Sequence, residues 1–170
     1  MLKKQIIWIV PFLSVLCLDQ LSKALARSYL TEYDSVNVIG EYFVLILAQN
    51  TGAFLSLGSG LPEPYHTLFM LGIPVVLLFL GLVYLLKNPE LPNLLQVAIA
   101  LILSGGIGNI IDRFLVGSVT DFFFIDLGGW AKTGIFNIAD MAIMAGLGIY
   151  IFQNFRTKKE NHPVAADKNN

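Results

Sequence analysis

Gly117-Ser-Val-Thr-Asp-Phe-Phe-Phe-Ile-Asp-Leu-Gly-Gly-Trp-Ala-Lys-Thr-Gly-Ile-Phe-Asn-Ile-Ala-Asp140 places three carboxylates, Asp121, Asp126 and Asp140, between two of the most apolar segments of the chain. Leu94–Ile111 precedes it and Ile138–Phe155 follows it. Each flank approaches the roughly 20 residues that a helix needs to cross a hydrocarbon core. Acidic groups beside a bilayer are costly to hold and are functional candidates by default. Two of them brought together can share one proton and do acid–base work on water. Asp121 and Asp140 are the expected catalytic pair.

Composition supports a lipid solvent. Of 170 residues, 55% are hydrophobic and only 14% charged, where a soluble domain carries about a quarter charged residues; mean hydropathy is +0.68. The length fits one domain. A formal net charge of −1 with no basic stripe argues against a nucleic-acid partner. Cys17 is the single cysteine, so no internal disulfide forms, and no Cys/His cluster suggests a metal. No cofactor is expected.

Outward from the central stretch, the spacing predicts an all-α membrane protein of four transmembrane helices, with a small extramembrane β unit between the first two. Met1–Leu18 could pass for a secretory signal peptide. Leu16 before Cys17 does not suit lipoprotein cleavage, however, and three more spans follow. The uncharged run Gln5–Leu18 is short for a span, so its helix continues through Asp19, Gln20 and Ser22, with Pro11 as a kink. Residues 29–64 form an outer β-rich loop, with turns at Asn50-Thr51-Gly52 and Gly58-Ser-Gly60. Thr67–Leu86 is the second span. Residues 112–137 form an outer catalytic loop, residues 1–155 make up the membrane domain, and 156–170 form a polar cytoplasmic tail.

Lys3, Lys4, Lys87, Arg156, Lys158 and Lys159 fall at one set of span ends, and Lys23, Arg27, Arg113 and Lys132 at the other. The richer side is expected to be cytoplasmic. Both termini are then inside. Asp19, Asn50, Asn109, Asp112, Arg113, Asp121, Asn137 and Asp140 gather at the outer face as one site.

Each residue also has an ordinary structural account. Asn137 and Asp140, three apart, read equally as a helix N-cap with an acidic third residue. Asp121 has no capping role, whereas Asp126 before Leu-Gly-Gly reads as a turn residue. Gly105 lies in a small-residue run that lets helices approach, but Asn109 is an amide at membrane depth that needs a partner. Arg113 can snorkel to headgroups, hold an anionic lipid or order the loop. Asp19 and Lys23 fit an interfacial ion pair, Asn50 a turn or a substrate contact, and His66 an interfacial position. Met70, Met141 and Met144 read as core packing.

Five motifs in this order, D-Q-L-S-K (Asp19–Lys23), Q-N-T-G-A-F (Gln49–Phe54), G-G-I-G-N-I-I-D-R (Gly105–Arg113), V-T-D-F (Val119–Phe122) and F-N-I-A-D (Phe136–Asp140), resemble lipoprotein signal peptidase, also called signal peptidase II. The resemblance covers nearly the whole chain, leaving out only the polar tail. It implies an aspartic endopeptidase of the bacterial cytoplasmic (inner) membrane that cuts prolipoproteins before a diacylglyceryl-modified cysteine. It also implies that Asn109, Arg113 and Asn137 orient the pair, that Asp19 and Asn50 line the site, and that Lys23 and Gly105 support it. The partners are the prolipoprotein and membrane lipids, and the chain is expected to act as a monomer.

Two rivals use the same residues less well. A proton-coupled carrier or channel subunit would place polar groups through both halves of the membrane, yet the inner halves are nearly all apolar. A lipid transferase would favour a His or Cys near the acids, and none lies there.

Overall fold

A computed structural model describes residues 2–32, 34–53, 57–129 and 131–161. Four helices are long and apolar enough to cross a membrane: Gln5–Tyr29, Tyr65–Lys87, Asn93–Val116 and Ile138–Arg156. The first belongs to a helix that runs unbroken from Leu2 to Tyr29 through Pro11. In the third, 44% of the apolar stretch is buried, against 6%, 11% and 17% for the first, second and fourth. The third helix is therefore the central post on which the others lean.

Its small residues explain the lean. A side chain at Gly105 would collide with the Ala139 carbonyl and Ile143, and one at Gly146 with the Ala98 carbonyl and Ile102. The third and fourth helices thus touch nearly backbone to backbone. Gly105, expected at the site, acts by this packing, which brings the first turn of the fourth helix against the third.

A three-stranded antiparallel sheet, its strands side by side in chain order, sits at one end of the helix bundle. β1 (Ser35–Ile39) and β2 (Phe43–Asn50) arise in the β-rich loop as expected. β3 (Val119–Ile125) comes from the stretch between the third and fourth spans, which sequence reading left as a catalytic loop. Its aromatic run serves sheet pairing and a small core, where Phe122 packs with Leu47 and Ala26. Between Leu45 and Ala48 the register of β2 on β3 shifts by one residue, and Ala48 then pairs with Asp121. Such a bulge bends a strand and re-aims the side chains beside it.

Two boundaries differ from the hydropathy reading. The third helix runs on to Val116 and stops at Gly117, whose φ of 84° is the left-handed C-cap conformation that glycine favours. Asp112 and Arg113 consequently project from a helix rather than a loop. The fourth helix extends to Asn161, past the expected start of the tail; residues 162–170 of that tail lie outside the described residues.

Candidate active site

At the sheet-bearing end of the bundle lies a cavity of about 480 Å³. Asn50, Asn109, Arg113, Asp121 and Asp140 give it a polar end, while Phe69, Met70, Pro74, Ile110, Met141 and Met144 form an apolar wall. Met141 and Met144 lie on the fourth span and are more than half exposed, so they line the cavity instead of packing a core. A π-helical turn, Leu68–Gly72, carries Phe69 and Met70 to the opposite wall. Single π turns inside α-helices often mark functional sites.

Three amide side chains hold the two carboxylates. Asn50 Nδ2 donates to Asp121 Oδ2 at 3.0 Å, and Asn137 Nδ2 donates to Asp121 Oδ1 at 2.6 Å. Asn109 Nδ2 donates to Asp140 Oδ1 at 3.0 Å, and the Asn137 backbone N–H donates to Asp140 Oδ2 at 3.2 Å. All four carboxylate oxygens therefore have a fixed donor. The Asp140 N–H donates back to Asn137 Oδ1 at 2.9 Å, which completes a reciprocal cap of the kind that satisfies two otherwise free helix-end amides. The structural account of Asn137 and its role in the site thus coexist: its oxygen caps the helix while its NH₂ group holds Asp121.

Asp121 is 2% exposed. Burial pushes its carboxyl up to about 6, reinforced by the charge of Asp140 and opposed by the hydrogen bonds from Asn50 and Asn137. Desolvation disfavours the charged form, and a neighbouring carboxylate adds to the effect.

Asp19 and Lys23 stand behind the cavity. Expected as an interfacial pair, they are fully buried and 2.9 Å apart. Lys23 Nζ also donates to Asn109 Oδ1 at 2.9 Å, and Asp19 Oδ1 accepts the Ala139 N–H at 2.9 Å. The pair thereby ties the first helix to the amide that holds Asp140 and to the opening turn of the fourth helix. Gly108 makes room for it, since any side chain there would strike the Asp19 carboxylate.

A second clamp, formed by Arg27, Asp112 and Thr120, was not singled out from sequence. Arg27 Nη1 lies 3.2 Å from Asp112 Oδ1 and donates to Thr120 Oγ1 at 2.8 Å, while Asp112 Oδ2 accepts the Thr120 N–H at 2.8 Å. It fixes β3 one residue before Asp121. Sequence places Asp112 with the site residues and Arg27 at a span end, but nothing in it joins either of them to Thr120. Arg113 orders the turn after β2: its Nη2 donates to the Gly52 carbonyl at 2.6 Å. Asp126 points elsewhere, its Oδ2 2.8 Å from Lys132 Nζ and its Oδ1 accepting the Gly128 N–H.

Within this cluster Lys23, Arg27 and Arg113 bring three positive charges, and Asp19 and Asp112 two negative ones.

The profile of the family described as Signal peptidase (SPase) II matches residues 11–156. Lipoprotein signal peptidase of Pseudomonas putida is 36% identical over 160 residues, spanning 92% of this chain and 91% of that protein. The Borrelia turicatae lipoprotein signal peptidase is 35% identical over 158 residues, spanning 88% and 91% respectively. Among solved structures, a bacterial membrane enzyme determined by the in meso method at 2.3 Å resolution superposes with a TM-score of 0.77. That match has 27% identity and covers 96% of this chain and 93% of the other. The chain belongs to the signal peptidase II family, a multi-pass membrane peptidase.

Proposed function

We propose that this peptidase removes signal peptides from prolipoproteins by an aspartic mechanism, with Asp121 and Asp140 as its catalytic carboxylates. The observation that carries this reading is their placement. Both line one cavity, and each carboxylate oxygen has its own donor. Two close carboxylates cannot both ionise cheaply, so one keeps a proton and the pair titrates as a unit.

In the proposed reaction the ionised carboxylate takes a proton from a water molecule while the protonated partner donates to the scissile carbonyl oxygen. The water oxygen bonds to the carbonyl carbon, giving a tetrahedral intermediate. On collapse the carboxyl that took the water proton gives it to the amine nitrogen of the cysteine, the C–N bond breaks, and a hydroxyl of the intermediate returns its proton to the other carboxylate as the carbonyl re-forms, so the pair ends with one proton as it began. No covalent enzyme intermediate is needed.

The substrate is a prolipoprotein whose cysteine carries diacylglycerol, with cleavage just before that cysteine. The cavity's apolar wall between the second and fourth helices supports this choice, because acyl chains suit it and an unmodified peptide leaves it unfilled. The enzyme works as a monomer in the bacterial cytoplasmic membrane, with both termini inside and the site at the outer face. Purified protein incubated with diacylglyceryl-modified prolipoprotein should release the signal peptide, and should cut the unmodified precursor poorly. Rapid cleavage of the unmodified form would point to a general signal peptidase. Thiol labelling of intact spheroplasts checks the orientation: Ser35→Cys should react with an impermeant reagent and Asn88→Cys should not.

A further inference from the structure

We infer that His66, on the first turn of the second helix, is a positioning residue for the site, acting through the Asn50–Ala53 turn; this rests on the aspartic reading above. The turn touches both sides of the cavity. Asn50 donates to Asp121 at 3.0 Å, and the Gly52 carbonyl accepts from Arg113 at 2.6 Å. Between them, the Thr51 carbonyl faces His66 Nε2 at 2.8 Å. A carbonyl only accepts, so the N–H sits on Nε2. Across the ring, His66 Nδ1 lies 3.3 Å from Glu63 Oε1, and Glu63 Oε2 accepts the Thr67 N–H at 3.3 Å. A carboxylate also only accepts, so Glu63 holds the ring from behind when Nδ1 carries a proton as well.

What the ring adds is independence. The Asn50 side chain closes the turn locally by accepting the Gly52 N–H at 3.0 Å, and a local bond of this kind fixes the shape of a turn but not its position. Position is set by bonds to other elements. Two of these are the contacts to Asp121 and Arg113 that the turn is there to supply. His66 anchors the turn to a spanning helix without touching either carboxylate. Asn50 itself stays paired with Val119 at the end of β2, so losing that anchor loosens Thr51 and Gly52 beside it and weakens the aim of its side chain on Asp121 while the cavity stays intact.

The experiment compares His66→Ala, His66→Gln, Asn50→Ala and the His66→Ala/Asn50→Ala pair on diacylglyceryl-modified prolipoprotein. Removal of an interaction that orients a catalytic group without touching substrate lowers kcat and kcat/KM together. A single hydrogen bond of ordinary net strength corresponds to a loss of about three- to tenfold. His66→Ala should show that loss with KM changed less than about twofold. His66→Gln, which can donate to the same carbonyl, should recover to within about twofold of wild type. In the Asn50→Ala background, His66→Ala should have no further effect, because coupled residues are not additive. Unchanged kcat in His66→Ala, a change confined to KM, no recovery by glutamine, or full additivity with Asn50→Ala would each overturn the inference. Failure of the aspartic reading is told apart by Asp121→Asn, whose activity would then survive whatever His66 does.

Discussion

Asp121 lies within β3 and Asp126 five residues on, just past the end of that strand, and their surroundings could hardly differ more. Asp121 is enclosed between β2, the third helix and the start of the fourth, and it is held by two uncharged amide donors. Burial raises its carboxyl to about 6. Asp126 sits at the far end beside a glycine turn; the Lys132 ammonium holds its carboxyl below the usual range, helped by the Gly128 N–H. Position in the sequence does not distinguish them. What does is the type of partner. A cation makes ionisation easy and leaves a carboxylate inert, whereas uncharged amides in a dry setting fix a carboxylate without quenching it.

The largest test of this contrast is Asn137→Ser. Serine still caps the fourth helix, but its shorter side chain cannot bridge to Asp121 and Asn109. Signal peptide release should fall by about 10²-fold, the lower end of what acid–base positioning contributes, while the thermal midpoint stays within a few degrees of wild type. Near-normal activity would show that Asn137 is only a cap.

A smaller effect follows from titration. With the Asp121 carboxyl pushed up to about 6, the folded pair holds its shared proton well above the ordinary carboxyl value of 3.8 at which unfolded Asp121 loses it. Between those limits the folded state binds more protons, so its contribution to stability is full below about pH 4 and is lost as pH rises to about 6. Melting curves from pH 4 to 7 should show a falling wild-type midpoint. The fall should shrink in Asp121→Asn and persist in Asp126→Asn; identical slopes in all three proteins would contradict the assignment. Smallest of all is the catalytic effect of Asp126→Asn, which should leave kcat within one order of magnitude, about 1.4 kcal/mol of barrier. A dead Asp126→Asn enzyme would reverse the contrast.

Much of this was readable from the chain because the signals are local. Hydropathy marks the spans, and the polar residues at their ends identify the face where the site forms. The strand pairing was harder to see. Val119–Ile125 reads as an interfacial aromatic run, and only β2, some 70 residues away, makes it a strand. The same limit hid the Arg27–Asp112–Thr120 clamp, whose members come from three separate elements. It also made Asp19–Lys23 look like a surface pair, because full burial depends on Gly108 and the fourth helix closing over it. Met70 is buried as expected, but Met141 and Met144 misled for a different reason. An apolar residue on a membrane helix can face a core, lipid or a cavity, and periodicity alone does not separate these.

The central claim is that Asp121 and Asp140 work as one unit, and single-turnover cleavage of diacylglyceryl-modified prolipoprotein by Asp121→Asn, Asp140→Asn and the double variant tests it most directly. Each single change should cost about 10² to 10⁴-fold or more, and the double variant should be no worse than the poorer single one, since removing either member disables the pair. Substantial activity in either single variant, or a double loss equal to the product of the two, would contradict it.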